Sequence, residues 1–359
     1  MVQPHLRKLI SLLPRRLING VKTTFNMNCF KAPLFLMLLV FSFTVNATEL
    51  TLDEQFKAAE LIETSDPVAA LPLYQELVEQ DYTEAKVRLA ALLSAGLGGE
   101  GTKEEKLQKS MKLFHEAADK GSIKAYYGLS VMYHDGTTIT PNTELGMSWL
   151  IKAAEAGEPR GQNQLASLYK NGIFVEKDTN KALYWYKESI KNNSNDARYN
   201  LANIYLDGLN NTSQQIKEAI TLYLEAADQG DDDSKVALGN IYMDDTYGLK
   251  DVEKAFYWLN SAASNGNTYG QTGLASCYRY GIGTDIDYEK ALYWYQLSAD
   301  ASHSPTSRYR LAEMHMLGLG TKVDLNKARE IFLQLGKDGY PDGTTAVAQV
   351  EKLIAEKAD

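Results

Sequence analysis

Apolar residues recur along this chain with the spacing of amphipathic helices. They fall at i, i+3, i+4 and i+7, and strict alternation of apolar and polar residues does not occur. The stretch DARYNLANIYLDG, residues 196–208, follows this spacing and ends in glycine, a residue that readily takes the left-handed conformation that ends helices. A 3.6-residue period without a two-residue period predicts helices rather than strands, hence an all-α protein.

The helical pattern repeats at a fixed distance. The word KALYWY occupies residues 181–186 and again residues 290–295, 109 residues later. Its tryptophan belongs to a series with steps of 36 or 37 residues: Leu113, Trp149, Trp185, Leu222, Trp258, Trp294 and Ile331. A period of this length is typical of stacked helical repeats.

Each block of the repeat contains two helical segments, here helix A and helix B. Helix A has a leucine and a tyrosine four residues apart, as in Leu165 and Tyr169, and helix B has a pair of small residues, as in Ala153-Ala154. The small pairs allow close helix approach. The Trp and Tyr side chains of helix B are predicted to fill the space between successive helix pairs, because large aromatics bury much apolar area.

These blocks resemble a known family. The pattern A-x3-L-x3-Y-x2-G followed by K-A-x2-W-Y-x2-A-A-x2-G is similar to the SEL-one-like repeat (SLR), which is related to the tetratricopeptide repeat. The resemblance covers residues 84–339 and gives a domain of seven repeats over 83–339. It implies a right-handed αα superhelical solenoid of helix-turn-helix repeats with a 36–37-residue period.

Three repeats depart from the pattern. The first carries the insert GLGGEGTKEEKLQ at residues 96–108 and lacks the Lys-Ala pair. The fifth has Asp245 where glycine is expected, and the seventh has His315 in place of tyrosine and Leu335-Gly336 in place of Ala-Ala. We expect less regular packing around the seventh repeat.

The ends of the array have the features of caps. Residues 48–82 form a degenerate N-terminal capping repeat, with a capping box predicted at Thr51–Glu54 and a second helix start at Asp66-Pro67. Residues 340–359 are predicted to form a C-terminal capping helix that covers the last apolar face.

The first 47 residues are predicted to be an N-terminal extension and secretory signal peptide. They contain six basic residues and no acid, then the apolar run APLFLMLLVFSFTV, then Val45-Asn46-Ala47. We predict cleavage after Ala47 and export to the periplasm or cell surface, so that contact with a membrane is transient. The alternative to cleavage is an uncleaved membrane anchor. The start codon is either Met1 or Met27, and a start at Met27 keeps the whole signal pattern.

The net charge and the motifs of the chain argue against several classes of function. Without residues 1–47 the chain keeps 31 basic and 46 acidic residues, a net charge of −15, which argues against nucleic acid and anionic lipid as partners. Neither a metal-binding, a nucleotide-binding nor a nucleophile motif is present, so no catalytic residue, metal or cofactor is predicted. Cys277 takes the place of an apolar helix-A residue and is predicted to be buried.

One face of helix A varies between repeats. We count the opening Ala, Gly or Ser of helix A as position 1, so that positions 3, 7 and 10 share a face. We call these positions the helix-A face and predict that it is concave and binds a partner. The candidate residues are Tyr127, His134, Asn163, Lys170, Tyr199, Asn203, Asn240, Arg279, Tyr309 and Glu313. Its other members are Val131, Ser167, Leu206, Val236, Met243, Thr272, Ser276 and Met316.

Three functions are compatible with the sequence. The first is a non-enzymatic, exported scaffold or adaptor that binds a protein or peptide along the helix-A face, as the resemblance implies. The second is a hydrolase of the cell-wall class or a β-lactam-binding protein, which some cysteine-rich family members resemble, although this chain lacks a cysteine pair in each repeat. The third is a structural spacer, in which the helix-A face varies because nothing constrains it. The partner and the oligomeric state stay open.

Overall fold

The computed structural model describes residues 50–98, 101–134, 142–207, 212–302 and 304–358. Within these ranges the chain forms seventeen α-helices and no strand, which confirms the predicted all-α repeat solenoid. The handedness of the superhelix stays a prediction. The predicted signal segment and His303 lie outside the described residues.

The chain divides into two compact units between Glu158 and Pro159. The helices of the first unit are α1 Leu52–Glu63, α2 Pro67–Glu79, α3 Thr83–Ser94, α4 Lys103–Asp119, α5 Ile123–His134 and α6 Thr143–Glu155. The helices of the second unit are α7 Pro159–Asn171, α8 Thr179–Lys191, α9 Asn195–Leu206, α10 Ser213–Asp228, α11 Asp232–Met243, α12 Val252–Ser264, α13 Thr268–Tyr280, α14 Tyr288–Ser302, α15 Pro305–Leu317, α16 Leu325–Lys337 and α17 Pro341–Ala358.

Helices A of the seven repeats are α3, α5, α7, α9, α11, α13 and α15, and each is followed by its helix B. Within each unit, consecutive helices pack against each other. Every described helix is too short or too polar to cross a membrane.

Side-chain caps explain where several helices begin. The Thr51 hydroxyl accepts from the Glu54 amide while the Glu54 carboxylate accepts from the Thr51 amide, which confirms the predicted capping box. Asp66 accepts from two amides of α2, with Pro67 at the first helical position. Four of the five helices B of the second unit use an aspartate in the same way, as where Asp251 accepts from the Lys254 amide at 3.0 Å, and α10 uses Thr212 instead.

The structure corrects which aromatic side chain of helix B fills the core. The buried residue comes one position after the tryptophan series. These core residues are Phe114, Leu150, Tyr186, Tyr223, Leu259, Tyr295 and Phe332, each at most 5% exposed. Trp185 and Trp294 are only half-buried. Tyr184 and Tyr293, in the repeated word, are 55% and 59% exposed and pack edge-to-face on those tryptophans. Adjacent residues differ by about 100° around a helix, so a one-residue error in register changes which ring is buried.

Glycines at the A–B loop allow close packing of neighbouring repeats. A Cβ at Gly283 would lie 2.1 Å from the Val252 carbonyl oxygen, and one at Gly320 would lie 2.2 Å from the Tyr288 carbonyl oxygen. The loop of one repeat therefore rests directly on the first turn of the preceding helix B.

The seventh repeat packs tightly where its small-residue pair departs from the pattern. Leu335 is 1% exposed, and a Cβ at Gly343 of α17 would lie 2.7 Å from the Leu335 Cβ. Less regular packing is therefore not found there. His315 is also buried, but neither of its ring nitrogens is hydrogen-bonded within the described residues.

Candidate functional site

The helix-A face borders solvent in both units. Of its members only Arg279 is buried, at 8% exposure, while Asn240 is exposed and the others are half-buried. Tyr127 and His134 lie half-buried on α5 of the first unit, and the remaining candidate residues belong to the second unit. The face is thus accessible, but its residues differ in how many contacts they make with neighbouring helices.

Position 7 of helix A provides the hydrogen-bond partner of the core tyrosine of helix B. The Tyr223 hydroxyl donates to Asn203 Oδ1 at 2.6 Å, and the Tyr295 hydroxyl lies 2.8 Å from Ser276 Oγ. Ser167 bonds the Tyr186 hydroxyl in the same way. Burial raises the pKa of all three phenols, so each stays protonated and needs a partner. Asn203 therefore has a structural role.

Other candidate residues connect neighbouring helices. Asn163 Oδ1 accepts from Asn200 Nδ2 at 3.0 Å, between α7 and α9. Lys170 Nζ lies 3.5 Å from an Asp207 carboxylate oxygen. Two aromatics complete these contacts by edge-to-face packing on helix-B rings: Tyr199 on Tyr223 and Tyr309 on Phe332. These half-buried side chains stabilise the stack through their contacts with neighbouring helices.

Asn240 is the exception among the position-7 residues. Its repeat has Leu259 at the core position of helix B, so no phenol requires its amide. Its side chain is exposed and makes no hydrogen bond to other described residues. Asn240 is therefore the candidate residue most available to a partner.

A charged group lies where α13 and α15 meet, and we call Arg279, Arg310 and Glu313 the C-terminal charge cluster. Glu313 Oε2 accepts from Arg279 Nη1 at 2.9 Å and from Arg310 Nη1 at 2.8 Å. The guanidinium carbon of Arg279 lies 5.1 Å from the Tyr280 ring centroid, and that of Arg310 lies 5.8 Å from the Tyr309 ring centroid. The hydrogen bond to Glu313 raises the pKa of Arg310.

The first unit contains a charged group of the opposite composition, which we call the N-terminal charge cluster: Arg88, Glu60 and Glu63. The Arg88 guanidinium pairs with both glutamates. Its Nη2 lies 3.2 Å from Glu63 Oε2, and its Nε lies 3.9 Å from Glu60 Oε1. The buried Tyr74 hydroxyl donates to Glu63 Oε2 at 2.5 Å. Burial and this bond raise the pKa of Tyr74.

Candidates for covalent or metal chemistry are few in the described parts of the chain. Cys277 is fully buried as predicted, and burial raises the pKa of its thiol to about 11. A thiol with that pKa is protonated at neutral pH and is a poor nucleophile. The described residues bring together no group of three or more His, Cys, Asp or Glu side chains able to hold a metal ion.

Sequence reasoning identified Arg279, Tyr309 and Glu313 but missed Arg310, which occupies position 4. An Arg310–Glu313 pair at i, i+3 was readable from the sequence. That Arg279, 34 residues earlier, shares the same carboxylate oxygen depends on the register between neighbouring repeats.

Comparison with known proteins gives a consistent assignment. The Sel1 repeat family model matches seven segments: residues 83–122, 123–158, 159–194, 195–231, 233–267, 268–303 and 305–340.

Two solved structures share the fold at 25% identity. A protective antigen of uropathogenic Escherichia coli with an SLR fold has a TM-score of 0.65 and matches 86% of this chain and 66% of its own. A Sel1 repeat protein from Oxalobacter formigenes has a TM-score of 0.59 and matches 68% of this chain and 99% of its own.

Curated relatives match over shorter segments. Protein sel-1 homolog 2 of Mus musculus is 37% identical over 73 residues, which are 20% of this chain and 11% of that protein. The human homolog is 30% identical over 95 residues, or 26% of this chain and 14% of that protein. The matched segments thus span only about a tenth to a seventh of these relatives.

Proposed function

This chain belongs to the Sel1 repeat family, and on that premise we propose that it is a non-enzymatic scaffold that binds a protein or peptide along its helix-A face. Sel1-repeat proteins generally act as scaffolds for protein–protein interaction and are typically non-catalytic. The partner binds to the side chains that the packing of the repeats leaves accessible.

The observation that supports this proposal is that helix A has two kinds of position: constant apolar positions that are buried, and variable positions that solvent reaches. The positions that pack between helices, such as Leu201 and Leu238, are apolar and buried. The helix-A face changes from repeat to repeat and keeps access to solvent. Asn203 accepts a hydrogen bond from the buried Tyr223, whereas the exposed Asn240 makes no such bond within the described residues. A framework that is constant with a face that varies is the arrangement that solenoids use for recognition.

Site-specific crosslinking tests the proposal. Replacing Asn240 with a photoreactive amino acid should capture a protein in the native cell. The matched control places the same amino acid at Asn260, an exposed asparagine on helix B of the same repeat. Asn240→Arg should abolish the captured band, detected with a crosslinker at the adjacent Met243, while Asn260→Arg should leave it unchanged.

Three results would contradict the scaffold. Equal crosslinking from positions 240 and 260 would show that the helix-A face is not selective. Turnover of nitrocefin or peptidoglycan by the purified chain would favour the hydrolase hypothesis, and normal function of the Asn240→Arg variant in cells would favour a structural spacer.

We also propose that the scaffold acts outside the cytoplasm, in the periplasm or at the cell surface. The support is the order of basic residues, apolar run and Val45-Asn46-Ala47 in the first 47 residues. N-terminal sequencing of protein purified from the native cell should begin at Thr48. A protein that retains the apolar run, or that fractionates with the cytoplasm, would overturn this assignment.

A further inference from the structure

We propose that the C-terminal charge cluster binds a carboxylate group of an acidic peptide segment in the partner. This inference rests on the proposed function, because it assigns a chemistry to one part of the helix-A face. It follows from the charge, hydrogen bonding and accessibility of three side chains.

The cluster has a surplus of positive charge. Two guanidinium groups share a single carboxylate, and both hydrogen bonds end on the same oxygen, Glu313 Oε2. This occurs in a chain with a net charge of −9. The ligand that balances the cluster is therefore an anion.

The hydrogen-bonding capacity of the two arginines is largely unused. A guanidinium has five N–H donors, yet Arg279 and Arg310 each make one hydrogen bond within the described residues. Arg279 is 8% exposed, and no second protein acceptor bonds its guanidinium within the described residues. A carboxylate bound beside Glu313 would supply the missing acceptors.

The geometry of both arginines is held in advance. Each guanidinium lies near the face of a tyrosine, Tyr280 for Arg279 and Tyr309 for Arg310. Contact with a ring restrains the guanidinium and leaves its N–H edges open, which is the arrangement that suits two-pronged carboxylate binding. The Tyr280 ring itself is 52% exposed and can contact the apolar part of a peptide.

The open side of the cluster is that of Arg310. Its side chain is 40% exposed, whereas Glu313 is 19% exposed and Arg279 lies deeper. At position 4 of helix A, α15 alone among the helices of the second unit has a charged residue, and the others have Gln164, Asn200, Ala237 and Gly273. The positive surplus is thus confined to the last two repeats.

The test measures binding of labelled peptides to the full mature chain by fluorescence anisotropy. The main probe is hexaglutamate with an amidated C-terminus. A neutral Gly-Ser hexapeptide with a free C-terminus distinguishes a terminal carboxylate from side-chain carboxylates. The amidated Gly-Ser peptide is the negative probe. Because the chain is acidic overall, binding of hexaglutamate reports a local positive site rather than a general attraction.

We expect one of the two carboxylate probes to bind and Arg310→Gln to weaken it at least about tenfold, since one charge-assisted pair is lost. Arg310→Lys should bind the peptide with intermediate affinity, because an ammonium keeps the positive charge but cannot make two parallel hydrogen bonds to a carboxylate. Arg308→Gln, on the same helix but paired with Asp338 at 2.6 Å, is the matched control and should bind like the wild type. Circular dichroism verifies that each variant is folded.

Equal effects of Arg310→Gln and Arg308→Gln, or the absence of binding by both carboxylate probes, would overturn the inference. If crosslinking from position 240 still captures a partner in that case, the scaffold proposal stands and only the carboxylate assignment fails. Loss of both signals contradicts both proposals.

Discussion

The two charge clusters are built on the same framework and have opposite signs. In the first unit one arginine, Arg88, lies between two glutamates, and in the second unit one glutamate, Glu313, lies between two arginines. A fully buried tyrosine belongs to each region, Tyr74 on α2 in the first unit and Tyr295 on α14 in the second.

The two clusters differ in whether the nearby buried tyrosine hydrogen-bonds to a charged group. Tyr74 donates to Glu63, so the glutamates of the first unit are engaged by an arginine and a phenol. Tyr295 bonds Ser276 instead and leaves the charges of the second unit to one another. The N-terminal charge cluster has a net negative charge and one buried donor, Arg88 Nε, without a hydrogen bond within the described residues. The C-terminal charge cluster has a net positive charge and two arginines that each make one hydrogen bond within the described residues. A repeat framework can change the chemistry of its surface by exchanging a few side chains without changing its packing.

The largest expected effect tests the shared framework. Tyr74→Ala and Tyr295→Ala should each lower the free energy of unfolding by about 3–5 kcal/mol, because each removes a fully buried ring. Urea denaturation followed by circular dichroism measures the change. Tyr293→Ala is the control, since that ring is 59% exposed and should cost well under about 1 kcal/mol. Equal midpoints for Tyr293→Ala and Tyr295→Ala would refute the assignment of the buried ring.

The next effect separates the clusters. Glu313→Gln should cost about 2–3 kcal/mol, because the buried Arg279 loses its charged acceptor. Arg88→Gln should cost less, about 1 kcal/mol, since the Arg88 side chain is 42% exposed and Glu63, at 17% exposure, keeps its hydrogen bond from Tyr74. The same denaturation experiment compares them, and a larger loss for Arg88→Gln would reverse our ranking of the two sites.

Removing only the hydroxyl groups gives a smaller and more specific contrast. Tyr74→Phe should cost about 1.5 kcal/mol, because its bond goes to a carboxylate, and Tyr295→Phe should cost about 1 kcal/mol or less, because its partner is a neutral hydroxyl. Thermal unfolding of both variants measures the difference. Identical shifts would mean that the charge of Glu63 adds nothing to the Tyr74 bond.

The smallest expected effect concerns His315, which stands where most other repeats have a tyrosine. His315 occupies a position where Tyr278 of the preceding repeat lies under a lysine, with Lys290 Nζ 5.1 Å from its ring centroid. Burial, and secondarily Lys327, lower the pKa of His315 below its ordinary value of 6.5. His315→Tyr should therefore raise stability by less than about 1 kcal/mol at neutral pH, because it removes two buried nitrogens without hydrogen bonds.

The pH dependence of this variant follows from the direction of the shift. Below pH 6.5 the unfolded chain takes up a proton at His315 that the folded chain resists, so the wild type loses stability as the pH falls. His315→Tyr should lose less between pH 7.5 and 5.5 in thermal melts. The same loss in both proteins would mean that His315 is not the group responsible.

The period, the helices and their caps were predictable because they depend on local rules. Thr51 and Asp66 cap their helices through residues at most three positions away, and the 36–37-residue step is visible in the letters themselves. Which ring of the KALYWY word is buried was not predictable, because Trp185 and Tyr186 are both large aromatics and only the neighbouring helices select between them.

The candidate site was only partly predictable for a similar reason. Position 7 correctly fell on the helix-A face, but the engagement of Asn203 by Tyr223, and the freedom of Asn240 opposite Leu259, depend on which helix-B residue lies beneath. A rule that pairs position 7 with the core residue of helix B would have separated the two asparagines from the sequence.

By itself, the sequence determined that this protein is a stack of seven helical repeats, because periodic burial and side-chain caps act within a few turns of the chain. Only the tertiary structure decided that Arg279 and Arg310 converge on one oxygen of Glu313. Residues 34 positions apart meet through the packing of neighbouring repeats, and the strength of a charge pair depends on distances and burial that no linear pattern contains.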